Sequence, residues 1–409
     1  MTGPADNAEV RRTNMALVMR ALAALSPCSR TDIRAATGLV SGTVSSIVDD
    51  LVARGLVVET GETASSGGRG RPRRVLLLDP SRVAVAIVQL TAQEIVAEVR
   101  DLAGEPVWHE RRAHAIRSGE PGDVVGTIAE AINAARAAAA SLPSAWEAAI
   151  VVAVPAPVVA GATIGSAIEF GIGRTELREA LTARLDRPGD PIIMNDGRLG
   201  ALAEHGDRDP EAPPHAMAYL KGDSGIGGGL VVDGELYLGS HLMAGECGHI
   251  CVDLAGPACE CGARGCLTQY LGLDAIVRAA GLTGFASDSD RESVLEALVG
   301  RLEEHDARAE AALETAASAL AAAIGTMSNY TDLDLVVLGG FLPRLEPWLR
   351  PAVERLIETR ARHIPEFNPR VENALHSDDA SRIGAWMLGR QAVLRAPDEV
   401  PVLDVSARP

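Results

Sequence analysis

Four of the six cysteines of the chain and one histidine lie within eighteen residues, His249–Cys266, which read HICVDLAGPACECGARGC. A chain of 409 residues can bury apolar cores in two or three domains, so it does not need disulfides for stability. It has no run of eighteen apolar residues and begins with polar residues, which predicts a cytoplasmic protein, outside any membrane, with reduced thiols. Reduced thiols beside an imidazole either bind a metal ion or simply pack as small core residues.

The other residues that could do chemistry follow predicted strands. Asn195 and Asp196 end one strand, and Gly222–Gly229 forms a glycine-rich turn after another. The segment Gly245–His249 leads into the cysteine cluster, and Leu338–Phe341 closes a late strand. Polar side chains and tight turns at strand ends are typical of a ligand-binding cleft.

Strand and helix signals in the body of the chain occur in two comparable series, which predicts two α/β lobes. The first series has strands at 83–90, 95–101 and 106–116, a helix at 124–140, a strand at 148–154, a helix at 175–185 and a strand at 191–194. The second has strands at 216–220, 229–232 and 235–238, followed by alanine-rich helices and a buried strand at 335–338. Two such lobes would enclose a cleft where the polar strand ends meet.

The first 80 residues have a different pattern. Apolar periodicity predicts helices at 14–25 and 41–54, and Ser29–Asp32 fits a capping box that opens a short helix between them. Two β-like runs, 56–60 and 75–78, flank a loop rich in glycine, serine and arginine, as in a winged helix-turn-helix. The residues predicted to contact DNA are Arg30, Ser41, Gly42, Thr43, Ser45 and Ser46 at the major groove and Arg69, Arg71 and Arg73 in the wing.

The charge is divided unequally between head and body. Residues 1–78 carry 10 Arg against 7 Asp and Glu, a balance of +3, and the remainder carries 28 basic against 48 acidic side chains, a balance of −20. A basic head on an acidic body indicates that only the head contacts nucleic acid. A trihelical protein-interaction module followed by a solvated arginine-rich linker is the alternative. The order of three helices and a wing favours DNA.

Together, the head, the Asn195–Asp196 strand end, the glycine-rich turn and the Gly245–His249 segment resemble the transcriptional regulators of the ROK (repressor, open reading frame, kinase) family over nearly the whole chain. The resemblance implies an α/β fold: an N-terminal winged helix-turn-helix, residues 1–80, followed by two lobes of the actin-like (ribonuclease H-like) sugar kinase fold. The lobes would span 81–205 and 206–375, with C-terminal helices at about 376–396 returning to the first lobe.

The same resemblance implies roles for individual residues. The family's structural zinc ligands are matched by His249, Cys259, Cys261 and Cys266, and its sugar-binding residues by Asn195, Asp196, Glu246 and His249. Cys28, Cys247 and Cys251 have no counterpart in the motif and are expected to be small core residues. The implied partners are a double-stranded DNA operator with an inverted repeat, a sugar or sugar-derivative effector, and further copies of the chain in a homodimer or homotetramer.

Two positions depart from the pattern of the family. Gln89–Ala92 stands where a kinase would carry Asp-x-Gly-x-Thr, so the carboxylate that organises Mg²⁺ and the glycine that admits phosphate are missing. Thr268 stands where the motif would place a sugar-binding glutamate. The favoured interpretation is a DNA-binding repressor of sugar metabolism genes whose kinase-like body senses a sugar without catalysis. The alternatives are a sugar kinase with an appended DNA-binding head, and a regulator that responds to a protein partner instead of a sugar.

Overall fold

A computed structural model describes residues 7–64, 73–91, 94–113, 123–143, 145–159, 163–164, 175–282 and 291–403. Its strands form two five-stranded sheets and two smaller ones. Within the described ranges, no helix combines the length and the apolar character that crossing a membrane would require.

The head, residues 7–78, is a winged helix-turn-helix. Its elements are α1 Asn7–Leu25, α2 Arg30–Thr37, α3 Ser41–Ala53 and the antiparallel strands β1 Val57–Ala64 and β2 Arg73–Leu78. The predicted capping box is present: Ser29 accepts the Asp32 N–H, and the Asp32 carboxylate accepts the Ser29 N–H at 2.8 Å. The apolar faces of the three helices meet in one core, which contains Met15, Leu22, Ile33, Ile47 and Leu51.

The first lobe contains a five-stranded sheet with the order β10-β6-β3-β4-β5. Its elements are β3 Val83–Leu90, β4 Glu94–Arg100, β5 Pro106–Ala113, α4 Val124–Ser141, β6 Trp146–Val154, β7 Val158–Val159, β8 Thr163–Ile164, β9 Thr175–Glu176, α5 Leu177–Thr182, β10 Ile192–Asn195 and α6 Asp196–Gly206. The sheet is parallel from β10 to β3 and antiparallel from β3 to β5. The helix predicted from residue 175 begins later, because Thr175 and Glu176 pair with β8 instead.

The second lobe repeats this topology in the sheet β13-β12-β11-β14-β15. Its elements, together with the last helix, are β11 Ala216–Gly222, β12 Ile226–Val232, β13 Glu235–Leu236, α7 Thr268–Leu271, α8 Leu273–Ala279, α9 Arg291–Glu303, α10 Ala307–Thr331, β14 Leu335–Gly340, α11 Leu342–Ala361, β15 Arg370–Asn373 and α12 Ala380–Arg395. Here too, three consecutive strands are antiparallel and the last two are parallel to β11. The two series of strands and helices predicted from the sequence therefore contain two sheets with the same topology.

The predicted glycine-rich turn at Gly222–Gly229 is mostly strand, because β11 extends to Gly222 and β12 begins at Ile226. Its glycines permit close packing. A Cβ atom on Gly228 would lie 2.3 Å from the Tyr219 carbonyl oxygen, and one on Gly197 of α6 would lie 2.5 Å from the Gly228 nitrogen. The absence of side chains therefore allows α6 to lie directly on β12.

Two helices, α6 and α12, fill the space between the sheets. Leu199 of α6 and Ala385 of α12 pack on the first sheet, whereas Ala201 and Ala380 pack on the second. A Cβ atom on Gly384 would lie 1.8 Å from the Leu199 carbonyl oxygen, so the two helices are in backbone contact.

The C-terminal end of α12 and the residues after it pack against the head. Val393, Leu394 and Val400 belong to the head core, which also takes in residues beyond position 80 such as Leu102. Arg54, at the end of α3, donates hydrogen bonds to the carbonyl oxygens of Asp398 (2.7 Å) and Val400 (2.5 Å). Two further bonds join these segments: Leu403 N to Ala53 O at 2.9 Å and Arg82 Nη2 to Pro401 O at 2.8 Å. The helix predicted to read DNA is thus hydrogen-bonded to the segment that follows α12, the helix between the lobes.

Candidate functional site

A cleft of about 360 Å³ is lined by residues of both lobes. Asn195 and Asp196 line it from the start of α6, and Glu246 and His249 line it from the loop after β13. The four residues predicted to bind sugar therefore lie around one cavity. Its volume is in the range of small-molecule binding sites.

Asn195 shapes the beginning of α6. Its Oδ1 accepts the Arg198 N–H at 3.1 Å, and its Nδ2 donates to the Ala156 carbonyl oxygen at 3.2 Å. The side chain is buried, yet an amide offers two donors and two lone pairs, so one of each remains for a ligand.

Asp196 forms an ion pair with Lys221, the only lysine of the chain. Lys221 Nζ also lies 3.9 Å from Asp223, whose carboxylate accepts the Ser224 N–H at 2.7 Å and forms an ion pair with Arg291. Charges of alternating sign thus continue along one wall of the cleft. Sequence reasoning assigned no role to Lys221 or Asp223, although both stand where β11 ends, a position that marks site residues elsewhere in this chain.

Glu246 is held by a buried arginine that the sequence analysis also missed. Arg198, 1% exposed, donates to Glu246 Oε1 at 2.9 Å and to the Val158 carbonyl oxygen at 3.3 Å. Burial raises the pKa of the Glu246 carboxyl above its ordinary value, and Arg198 and His249 oppose this effect. Arg198 lies three residues after Asn195 on α6, the helical spacing that could have indicated a shared face.

The residues predicted to bind metal lie together. One ligand atom from each of His249, Cys259, Cys261 and Cys266 falls within 4.8 Å of all the others. Two pairs are 3.6 Å apart: His249 Nδ1 with the Cys259 sulfur, and the sulfurs of Cys261 and Cys266. A tetrahedral zinc ion separates its nitrogen and sulfur ligands by about 3.5–3.8 Å, so this donor set fits zinc with small adjustments.

The loop that carries these ligands depends on glycines. Gly262 and Gly265 have φ of 91° and 64°, and a Cβ atom on Gly265 would lie 1.6 Å from the Asp253 carbonyl oxygen.

His249 connects the cysteine cluster to the cleft. Because His249 directs Nδ1 toward the Cys259 sulfur and also lines the cleft, its Nε2 remains for a ligand.

The remaining cysteines divide into two groups. Cys28 and Cys247 are buried as predicted, and burial raises the pKa of their thiols to about 11 and about 12, respectively. The prediction that Cys251 is a core residue is wrong, because it is exposed. Its backbone forms a β-bridge with Cys266, but its sulfur is not among the four clustered ligand atoms.

The structure describes only part of the predicted DNA surface. Ser41, Gly42 and Ser46 are exposed on the first half of α3, and Thr43 and Ser45 are half-buried there. The guanidinium of Arg30 donates to the Ser45 carbonyl oxygen (3.2 Å) and the Asp49 carboxylate (2.8 Å). Arg69, Arg71 and the Arg73 side chain lie outside the described residues.

Gln89, which the sequence analysis placed where a kinase would carry an aspartate, belongs to a buried polar network. Its Oε1 accepts a hydrogen bond from Arg382 of α12 at 2.9 Å. The same guanidinium lies 2.7 Å from the Glu98 carboxylate, which also pairs with Arg100 at 2.9 Å. An arginine from the last helix thus binds side chains of both β3 and β4.

Thr268 lines the cleft, but its hydroxyl already forms a hydrogen bond within the protein. Its Oγ1 accepts the Ile226 N–H at 3.0 Å, which ties the start of α7 to the start of β12. Thr268 therefore contributes a short, neutral group to the cavity.

Comparisons with known proteins agree with this architecture. A "Putative xylose repressor" of Caldicellulosiruptor sp. (strain Rt8B.4) is 25% identical over 412 residues, 97% of this chain and 100% of that protein. An N-acetylmannosamine kinase of Vibrio vulnificus (strain YJ016) is 30% identical over 198 residues, 48% of this chain and 64% of its own length. A solved ROK family transcriptional regulator, a homologue of the E. coli MLC protein, covers 95% of this chain and 97% of its own at 21% identity, with a TM-score of 0.75.

The family model described as "ROK family" matches residues 86–392. Apart from the first three residues of β3, the match covers both five-stranded sheets, the cleft and the cysteine cluster. Since it takes in well over half of the chain, this protein belongs to the ROK family.

Proposed function

We propose that the protein is a cytoplasmic DNA-binding repressor of sugar metabolism genes, with a kinase-like body that senses a sugar and catalyses no reaction. The winged helix-turn-helix head and the full-length similarity to a xylose repressor support the DNA-binding part. The proposed functional units are the head, 1–80, and the two lobes, 81–205 and 206–375. The last helix, α12, belongs to the first lobe in this division. A homodimer or homotetramer would present paired heads to an inverted repeat.

The observation that carries this proposal is that internal partners occupy the positions where a kinase works. Arg382 hydrogen-bonds Gln89, Lys221 neutralises Asp196, and Arg291 pairs with Asp223. Phosphoryl transfer depends on a metal-binding carboxylate, a free base and backbone amides that cradle phosphate. These internal contacts leave Asp196 poorly placed to act as a base.

The similarity to a kinase keeps an active sugar kinase with an appended DNA-binding head as the second candidate. We expect the full-length protein to consume no more ATP with a panel of hexoses and amino sugars than without sugar. Asp196→Asn should leave this background unchanged, because Asp196 does no chemistry. A sugar-dependent ATP turnover in the wild type that Asp196→Asn abolishes would establish the kinase instead.

We further propose that His249, Cys259, Cys261 and Cys266 hold a structural zinc ion. Three thiolates and one imidazole fill a tetrahedral shell and leave no position for a reacting water. The metal would fix the ring of His249, so that Nε2 presents a hydrogen-bonding group to the cleft in one orientation. The zinc ion would therefore act on ligand binding only by fixing the shape of the cleft wall.

Asn195, Asp196, Glu246 and His249 are the proposed sugar contacts. Sugar hydroxyls both donate and accept, and carboxylates, an amide and an imidazole around one cavity suit them. Glu246 comes from the second lobe and Asp196 from α6, so a ligand that binds both would draw the two sides of the cleft together.

Replacing Thr268 by glutamate should strengthen sugar binding about ten- to a hundredfold, because a charge-assisted hydrogen bond contributes about 1.5–3 kcal/mol. The matched control is Thr268→Gln, which has nearly the same size and equally loses the bond from Ile226. Calorimetry with hexoses, amino sugars and their phosphates measures the difference. Equal affinities of Thr268→Glu and the wild type would contradict a sugar hydroxyl at this position.

The proposed route from cleft to head runs along α12. Ser381 Oγ donates to the Asp196 carbonyl oxygen at 2.9 Å, and Val393 and Leu394 at the other end of the helix belong to the head core. A sugar can alter DNA affinity only through different affinities for two arrangements of the protein. Movement of α6 on sugar binding would be passed to the head by α12 and would change the spacing of paired heads.

A further inference from the structure

A groove of about 320 Å³ runs between the first half of α1 and the first half of α3 on the head. It is lined from α1 by Asn7, Val10, Arg11 and Asn14, and from α3 by Gly42, Thr43, Ser46 and Ile47. Gly42, Thr43 and Ser46 belong to the surface proposed to contact DNA, whereas no α1 residue of the groove has been assigned a role so far.

Arg11 is placed at the edge of that surface. Its guanidinium donates to Asp50 Oδ2 at 2.8 Å and lies 3.4 Å from the hydroxyl of Ser46, yet half of the side chain stays exposed. Asp50 is shared, since its other oxygen accepts a hydrogen bond from Arg54 at 2.9 Å. One carboxylate between two guanidinium groups leaves a net positive charge beside the groove.

The polar side chains of the lining match the groups that proteins use to bind the DNA backbone. Arginine, asparagine, serine and threonine side chains supply most phosphate contacts, which position a protein on the duplex without reading its sequence. Gly42 meets no atom within 4 Å of where its Cβ would lie, so no side chain obstructs this end of the groove. A duplex seated on α3 brings a backbone strand along the edge of the major groove, beside α1.

We propose that the groove binds a DNA phosphodiester, with Arg11 as its cation and the amides of Asn7 and Asn14 as further donors. This inference rests on the proposed DNA-binding function. It adds α1 to an interface that the sequence analysis confined to α2, α3 and the wing. Arg11 would contribute to affinity on every DNA sequence, including non-operator DNA.

The test measures the affinity of the full-length protein for a genomic fragment that it retains, over a range of salt concentrations. Arg11→Ala should lower the slope of log K against log[salt] by about one unit and weaken binding about fivefold at 0.15 M salt. Arg11→Lys should keep the slope, since it keeps the charge. Arg20→Ala is the matched control, because Arg20 is exposed on α1 and does not line the groove.

The variant Asp50→Asn distinguishes a phosphate contact of Arg11 from a purely structural role of Arg11. It removes the ion pair of Arg11 but leaves the guanidinium in place, so the salt slope should stay at or above that of the wild type. If Arg11 matters only through Asp50, Asp50→Asn will weaken binding as Arg11→Ala does, and the proposal is wrong. An Arg11→Ala slope equal to those of the wild type and Arg20→Ala would also overturn it. A wild-type protein that binds no DNA would overturn the proposed function as well.

Discussion

Cys261→Ser is expected to reduce the zinc content of the purified protein from about one ion per chain to nearly none. Serine is a poor ligand for zinc, and three remaining donors do not close a structural site. Few apolar contacts would hold the ligand loop in place without the metal, since most residues from Cys251 to Arg264 are exposed, including Leu254 at 91%. The free energy of unfolding should fall by about 3–5 kcal/mol, because metal binding is coupled to the folding of such a loop.

Elemental analysis and thermal unfolding of the same preparations measure both effects. Cys251→Ser is the matched control, because Cys251 lies in the same loop, is exposed, and is outside the ligand group. The Cys251→Ser variant should retain zinc and unfold at the same temperature as the wild type. A zinc-free wild type of undiminished stability, or a Cys251→Ser variant that loses the metal as Cys261→Ser does, would contradict the proposed centre.

Gly384→Ala should lower the free energy of unfolding by about 3 kcal/mol, at the upper end of the cost of overpacking a core. The added methyl would lie 1.8 Å from the Leu199 carbonyl oxygen, which is backbone and cannot move without shifting α6. The same shift would disturb Asp196 at the start of α6 and the head at the far end of α12. We therefore expect weaker DNA binding together with the loss of stability.

Denaturant unfolding gives the magnitude, and Gly300→Ala is its matched control. Gly300 lies inside α9 with no atom within 4 Å of a Cβ, so alanine should be neutral or stabilise by up to about 1 kcal/mol. If Gly384→Ala is as stable as Gly300→Ala, α6 and α12 are not packed backbone to backbone as described.

Local signals in the sequence were sufficient to locate most elements and several groups of site residues. Apolar periodicity gave α3 and its buried residues, because a helix that packs on one face repeats every three to four positions. The alternation of strand and helix signals gave two lobes, and the polar strand end at Asn195 gave one wall of the cleft. The density of cysteines between His249 and Cys266 indicated a cluster of thiols.

Contacts between residues far apart in the chain could not be predicted in this way. Lys221 meets Asp196 across 25 positions, and Arg382 meets Gln89 across 293. No local pattern around Lys221 or Arg382 predicts these contacts, which follow only from how the lobes pack. The C-terminal residues that complete the head core are a similar case, since Val400 and Leu403 carry no local signal for contact with α3.

The glycine-rich segment shows how a correct motif can have an incorrect local interpretation. A run of glycines predicts a turn because glycine tolerates most backbone conformations. Here Gly228 and Gly229 of β12 are extended. Glycine is needed at both positions because the neighbouring strand approaches Gly228, and α6 approaches Gly229, too closely for a side chain. The requirement for glycine arises from tertiary packing, which the sequence does not display.

Binding of genomic DNA fragments to the full-length protein, with and without a panel of sugars, tests the central claim most directly. We predict that the protein retains a small set of fragments at physiological salt, that these share an inverted repeat spaced by whole helical turns, and that one sugar releases them. Glu246→Ala should bind the same fragments and lose the response to sugar. Retention of no fragment above the level of bulk DNA would contradict the account of this protein as a DNA-binding regulator.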